Sequence, residues 1–395
     1  TYNYAVPTAI TPNNQSSLTT NLVYNGALAL LAEQRPNDND TFFTYDYSNR
    51  PFSTTSPFGA VTYYTYNDSE RWTKATTNNR WTKTTTDGLG RTVRVETGYD
   101  TTTVSIVDTE YDVCACSPMG KVKRVSQPYA PGETVYWTTY AYDCLGRTTS
   151  VTQPGNSGTT TYVYQGNTVT VTDPKGAWKK YTLDVLGNLV QVTEQGPGSS
   201  PNHETYYTYN LRNQLIGVSM PRSGVTQART FNYDLTTGRL SSVTNPETGT
   251  TSYTYNADGS VATRTDAKNQ RVEYTYDSLG RVTQIRRYNS SGVEQACERM
   301  NLYYDETPSS FMLGAYTQNG LGRLAAAEWG DLSSCTSGRF RQLYSYHSGG
   351  AATKKRQLAD KTWNWNRDME AVYTYNSMGQ LVSTQYPSSG PTFTY

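Results

Sequence analysis

The chain has almost no histidine. His203 and His347 are the two in 395 residues. One lies in a Pro/Ser/Gly loop and the other follows a Tyr-x-Tyr, with no serine elbow or nucleophilic cysteine context nearby, so no hydrolytic triad assembles from the sequence. An excess of charge of either sign is missing too: Lys+Arg 34 against Asp+Glu 33 gives +1. Without a basic field to hold a phosphate backbone, nucleic acid is not an expected partner. Long apolar runs are absent. The longest, Gly26-Ala27-Leu28-Ala29-Leu30-Leu31-Ala32, falls far short of the roughly 18–20 residues of a membrane-spanning helix. No Walker-type glycine pattern cradles a phosphate, because Gly88-Leu89-Gly90-Arg91 reads as a turn. No cofactor or metal site is expected.

Aliphatic bulk is scarce as well. Hydrophobic residues make up 35%, and eight phenylalanines stand beside thirty-five tyrosines. Tyrosine and threonine suit a pleated, half-buried surface, so the composition favours strands over helices. Five cysteines, Cys114, Cys116, Cys144, Cys297 and Cys335, allow either disulfides in an oxidising compartment or scattered buried thiols. Cys114-Ala115-Cys116 lacks nearby partners for a metal. Cys297 and Cys335 flank the longest irregular insertion and are the candidate pair.

What is present is one hairpin written many times. In Tyr274-Thr275-Tyr276-Asp277-Ser278-Leu279-Gly280-Arg281-Val282-Thr283-Gln284-Ile285, Tyr274, Tyr276, Val282 and Ile285 alternate with polar residues. Asp277 suits the first position of a type I turn, and Gly280 can close it in the left-handed conformation. The Tyr-x-Tyr opening recurs at Tyr45, Tyr66, Tyr111, Tyr142, Tyr164, Leu183, Tyr209, Tyr233, Tyr255, Tyr276, Tyr304, Tyr346 and Tyr375, degenerate members included. The Gly-Arg half recurs at Gly90-Arg91, Gly146-Arg147, Gly238-Arg239, Gly280-Arg281 and Gly322-Arg323, and more weakly at Gly120-Lys121, Gly187-Asn188 and Gly379-Gln380. Proline-bearing turns such as Gln153-Pro154-Gly155 and Asn245-Pro246-Glu247-Thr248-Gly249 separate the repeats. A period of about 21 residues holds two strands and two turns, the mark of a repeat architecture.

The expectation is therefore an all-β chain of tandem hairpins in one continuous antiparallel sheet over 1–395, coiled into a hollow spiral. Irregular loops are expected at 112–120, 195–204 and 305–320. The stretch Leu324-Ala325-Ala326-Ala327-Glu328-Trp329 could start a short helix, yet it sits where a second strand belongs and is read as strand. Both ends fall in mid-repeat, at Thr1-Tyr2-Asn3-Tyr4 and Phe393-Thr394-Tyr395, so the chain reads as a window of a longer array.

These residues resemble the YD-repeat (Rhs-repeat) family, whose signature is close to Tyr-x-Tyr-Asp-x-x-Gly-Arg-Leu/Val. Tyr140-Ala141-Tyr142-Asp143-Cys144-Leu145-Gly146-Arg147 and Tyr274 to Val282 match it nearly residue for residue. The resemblance implies secreted or cell-surface proteins whose repeats form a β-sheet shell. Such shells enclose a toxin in bacterial Rhs and toxin-complex proteins and support adhesion ectodomains in teneurins. The terminal core-associated run and self-cleavage residues of toxin-bearing shells have no match here.

No enzyme is expected. Asp46, Asp112, Asp143, Asp234 and Asp277 each fill the turn position that the repeat demands, so none calls for a catalytic role. The arginines after the turns (Arg91, Arg147, Arg239, Arg281, Arg323) are read as partners of those carboxylates, with an anionic-ligand groove as the alternative. The tyrosines are read as cross-strand aromatic pairs; together with Trp72, Trp81, Trp137, Trp178, Trp329, Trp363 and Trp365 they could instead form platforms for glycans. The favoured function is a structural wall, an extended extracellular tube or filament whose partner is itself. The wall of a closed shell around an encapsulated polypeptide is the alternative, and a carbohydrate-binding adhesin is a third reading.

Overall fold

The computed structural model describes residues 6–114, 117–155, 157–198, 200–311, 314–330, 335, 338–360, 367–387 and 390–394. Among them are 32 β-strands, a few single-turn 3-10 helices and no α-helix. Each described ladder is antiparallel and joins a strand to its neighbour in sequence, so the hairpins follow one another without a crossover. The all-β expectation holds. The chain divides into two compact units, one of Thr1–Tyr64 with Ser252–Tyr395 and one of Thr65–Thr251.

Strands form where Tyr/Thr/Val alternation is cleanest. Gly249–Tyr255 alternates half-buried and exposed residue by residue. Arg271–Tyr276 pairs with Val282–Tyr288 across the Asp277 turn. Leu324–Gly330 is a strand, as read, since its neighbours on both sides supply ladders for it. The expected loop over 112–120 is a correction. Strand continues to Cys114 and resumes at Ser117, because Asp112 and Cys114 still find partners in Lys121 and Ser117 across an irregular register. The 195–204 loop ends sooner than expected, with His203 and Glu204 already in the next strand. The 305–320 loop lies between Met300–Tyr304 and Leu324–Gly330 and holds a single turn at Ser309–Phe311.

A thin sheet buries little. Among the described residues a compact apolar cluster lies in the first unit and is completed by that last loop, which brings Phe311 onto Ala326, Leu343 and Leu358, with Tyr303 and Tyr316 alongside. The Tyr303 and Phe311 rings meet edge to face at 5.4 Å. Tyr316 donates its hydroxyl to Glu370 at 2.8 Å, and burial, followed by that carboxylate, pushes its pKa up. Ala326 in this cluster is fully buried, where a larger side chain would hold the loop away from the sheet.

Within the first unit the chain also meets itself at long sequence separation. Asn13 donates its side-chain amide to the Ser278 carbonyl (2.6 Å), and Asn37 both donates to the Leu321 carbonyl (2.9 Å) and accepts from the Leu321 amide (3.0 Å). Phe58 stacks on His347, with ring centroids 4.5 Å apart. The array returns on itself here, turns against turns.

Leu343 is 0% exposed and central to the cluster. Leu343→Ala is expected to lower the unfolding free energy of this unit by about 2–5 kcal/mol, through lost burial and a cavity that the flanking strands cannot close. Chemical denaturation of the two proteins checks it.

The aspartate–arginine–tyrosine ladder

The repeat-defining residues converge on one device. At the Asp277 turn, Oδ1 accepts the backbone amides of Leu279 and Arg281, both at 2.9 Å, and Oδ2 accepts Arg281 Nε at 2.6 Å. Gly280 closes the turn at φ +77°, the left-handed region that a side chain disfavours. Where the glycine is missing, Asn49 and Asn213 take its place at φ 59° and 64°, asparagine being the residue that best tolerates that region. The same carboxylate geometry holds at Asp46/Arg50, Asp87/Arg91 and Asp143/Arg147, with closest contacts of 2.9, 2.6 and 2.7 Å. In the degenerate members Asn188 replaces the arginine and still donates to Asp184 (2.9 Å), and Asn376 pairs with Gln380 (3.0 Å).

The turn inside the Asp277 hairpin is followed by a bulge. Thr275 pairs with Gln284 but Tyr276 pairs with Val282, so Thr283 is an extra residue on the second strand. The same shift follows Ala141, Thr182, Thr208, Asn232, Thr254, Ser345 and Thr374. A bulge takes residues out of the ladder, and the next repeat supplies the missing donor. The second tyrosine of its Tyr-x-Tyr gives its hydroxyl to the carbonyl just after the preceding turn. These bonds are Tyr45 to Leu30, Tyr111 to Thr92, Tyr142 to Val122, Tyr209 to Leu189, Tyr233 to Leu215, Tyr276 to Val261, Tyr304 to Val282, Tyr346 to Leu324 and Tyr375 to Ala352, all between 2.6 and 3.1 Å. The turn arginine also lies on the second Tyr-x-Tyr ring of a following strand, which at Arg91 and Arg281 is the same hydroxyl donor. Arg91 is 4.2 Å from the Tyr111 centroid, Arg147 4.2 Å from Tyr164 and Arg281 4.3 Å from Tyr304. Arg281 adds a two-pronged contact to Asp305 at 2.8 and 3.0 Å. Arg323 has no carboxylate four residues back and instead donates to the carbonyls of Asn319, His347 and Ser348.

Sequence reading assigned the tyrosines to ring–ring pairing, and the structure corrects this. Few described tyrosines pair through their rings, Tyr344 with Tyr346 (6.4 Å) and Tyr63 with Phe52 (6.2 Å) among them. The hydroxyl is what the repeat uses, which explains why phenylalanine is rare. Arg91, Arg147 and Arg281 are partners of the turn carboxylates, as read, whereas Arg323 bonds carbonyls instead.

A groove in the second unit, of about 830 Å³, is lined by Trp72, Tyr111 and Trp137 among charged residues. Its rings are already covered by the chain's own cations: Lys83 lies 5.3 Å from Trp72, Arg91 4.2 Å from Tyr111 and Arg124 4.1 Å from Trp137. Its carboxylates are equally engaged. Asp108 accepts from Arg94 (2.6 Å) and Tyr129 (2.6 Å), Glu110 from Arg124 (2.7 Å) and Glu70 from Trp72 Nε1 (2.7 Å). Trp363 and Trp365 lie outside the described residues. Among the described residues no group of His, Cys, Asp and Glu is arranged to hold a metal ion. His347 Nδ1 accepts the Gly349 amide at 3.0 Å, a turn role. Cys297 and Cys335 are joined as a disulfide with Cα atoms 5.4 Å apart, a normal span, and Cys144 is a free, exposed thiol.

The RHS Repeat family model matches residues 255–290, which contain the Asp277 hairpin. Among solved structures, that of TcdB2-TccC3 is alike over 97% of this chain and 24% of its own, with a TM-score of 0.71 at 14% identity. TcdB2-TccC3 without its hypervariable C-terminal region gives 0.61 at 12% identity over 93% of this chain, and TcdB2-TccC3-Cdc42 gives 0.55 at 16% over 93%. The chain thus spans about a quarter of the solved chains it matches, and at these identities the likeness is one of fold. No curated protein matches its sequence.

Two predictions rest on the ladder. Tyr304→Phe keeps the ring under Arg281 but strands the Val282 carbonyl, and is expected to cost about 0.5–1.5 kcal/mol in denaturant unfolding. The turn carboxylates sit below their ordinary pKa. Asp87 is lowered first by the Arg91 side chain, Asp143 first by the Arg147 backbone amide, and Asp277, although burial raises it, by the amides and guanidinium around it. A depressed folded-state pKa stabilises fully above the unfolded value and is lost as pH falls through the folded one. The thermal midpoint is therefore expected to hold from neutrality to about pH 5 and to drop below about pH 4. A midpoint flat to about pH 2 would remove these turns from the stability account.

Proposed function

We propose that this chain of Rhs (YD) repeats is a section of a protein wall: a non-catalytic β-sheet sheath in a larger extracellular assembly, surrounding a polypeptide carried outside this stretch. The observation that carries the reading is the match of 97% of the chain to the fold of TcdB2-TccC3. The solved set includes forms differing in a hypervariable C-terminal region or carrying Cdc42, which fits a constant wall with exchangeable content. The Cys297–Cys335 bridge suits an oxidising compartment.

The extended tube favoured by the sequence gains nothing from these likenesses, and the shell accommodates them at least as well. The tube remains the second reading because a repeat array grows by adding neighbours. A glycan-binding adhesin is the weakest, since the described aromatic faces in the broad groove are occupied by the chain's own cations.

Electron cryo-microscopy of the native assembly distinguishes these readings. Discrete hollow particles with internal density are expected. Continuous filaments with a regular rise and an empty lumen would replace the shell with the tube.

A further inference from the structure

The hairpins have two kinds of end. One rim carries the turns inside each repeat; the other carries the turns that link one repeat to the next. In the first unit these rims meet. The linking turns at Pro12–Asn14 and Pro36–Asp38 set Asn13 on the Ser278 carbonyl and Asn37 on both backbone groups of Leu321, as described above. A third linking turn carries Phe58, whose ring lies so close over Gly349 and Gly379 that a Cβ at either would crowd it. Leu18 lies 3.6 Å from the position a Cβ would take on Gly322. Leu321 and Met378, on this covered rim, are each 37% exposed.

The second unit also carries apolar residues at its turn tips, at the same position in Leu89, Leu145 and Leu186 and one residue earlier in Leu211 and Leu235, and there they project into solvent. Leu89 is 56% exposed, Leu145 72%, Leu186 74%, Leu235 86% and Leu211 108%. The side chains of these leucines do not help to close their own turns, which the Asp or Asn side chain holds by accepting backbone amides, those of Leu89, Leu145 and Leu186 among them. A row of exposed leucines on otherwise polar hairpins is the signature of a surface that expects a partner.

We propose that this leucine rim of the second unit is a docking surface for a second copy of the chain, which covers it with its linking turns. The partner chemistry is read from the contact the chain already makes: linking turns that place a small apolar or aromatic group on a glycine-bearing tip and a side-chain amide on the tip backbone. The two surfaces differ, so the contact is heterologous and successive copies can add in one direction. The proposal concerns how sections of wall join and stands whether the wall proves to be a shell or a tube; loss of the enclosed polypeptide would end the shell reading and leave this contact untouched.

Sedimentation velocity over a roughly hundredfold range of protein concentration tests it. The wild-type chain is expected to associate reversibly. The triple variant Leu145→Asp/Leu186→Asp/Leu211→Asp is expected to weaken association by roughly tenfold or more, because each leucine tip would otherwise leave water. Val163→Asp, an exposed position within a strand, is expected to associate as the wild type does. Circular dichroism and thermal midpoints confirm that each variant is folded. Hydrogen exchange should show protection rising with concentration at residues 143–147, 184–188 and 210–214. A monomer at every concentration, association unchanged in the triple variant, or equal loss in the Val163 control would each overturn the proposal.

Discussion

The bond from a tyrosine hydroxyl to the carbonyl beside the preceding bulge is the constraint on which the array depends. A two-stranded hairpin is marginal in water on its own, and a bulge takes further backbone groups out of its ladder. By placing the donor on the next hairpin, the repeat makes each unit's backbone incomplete until its successor is present. Val282 is completed by Tyr304, Val261 by Tyr276, and Leu324 by Tyr346. Order therefore passes along the chain by neighbours, as expected of a repeat protein whose stability is a sum of unit and interface terms.

The turn chemistry follows from the same need. The aspartate fixes the turn through two amides, and its second oxygen orients the arginine, which then lies over the tyrosine that completes the bulge. Exposed ion pairs alone contribute little. Here the pair positions a guanidinium over a half-buried ring, so its worth lies in geometry shared by two repeats. Asn188 and Gln380 show what is dispensable: the hydrogen bond to the turn residue survives without the charge.

Much of this was legible in the sequence because it is local. Tyr-x-Tyr, Asp-x-x-Gly-Arg and the linking prolines encode strands and turns within a dozen residues, and repetition fixes their neighbours. The role of the tyrosine was misread because period-2 alternation reports which face a side chain occupies and not which of its atoms is used; the shortage of phenylalanine was the available signal. The core formed by Phe311 and Tyr316 was invisible, since the irregular 305–320 segment has no repeat partner to reveal where it packs. The contacts of Asn13, Asn37 and Phe58 were equally hidden. They join positions 265 to 289 residues apart, as the pairs Asn13–Ser278 and Phe58–His347 illustrate, and no local pattern encodes such a return.

The groove of the second unit lined by Trp72, Tyr111 and Trp137 is chemically quiet. Asp108, Glu110 and Glu70 are held by the chain's own donors, and Trp72, Tyr111 and Trp137 lie under its own cations. A ligand entering there would have to displace contacts already well formed and supply equal ones, which leaves little surplus for affinity. The exposed apolar tips differ in kind. Their side chains take no part in closing the turns, they recur with the repeat, and at the equivalent position in the first unit Leu321 and Met378 are less exposed. Polar chemistry spent on internal cohesion, with apolar chemistry held at one rim, is what a module needs if it is to be joined to others and not to bind along its face.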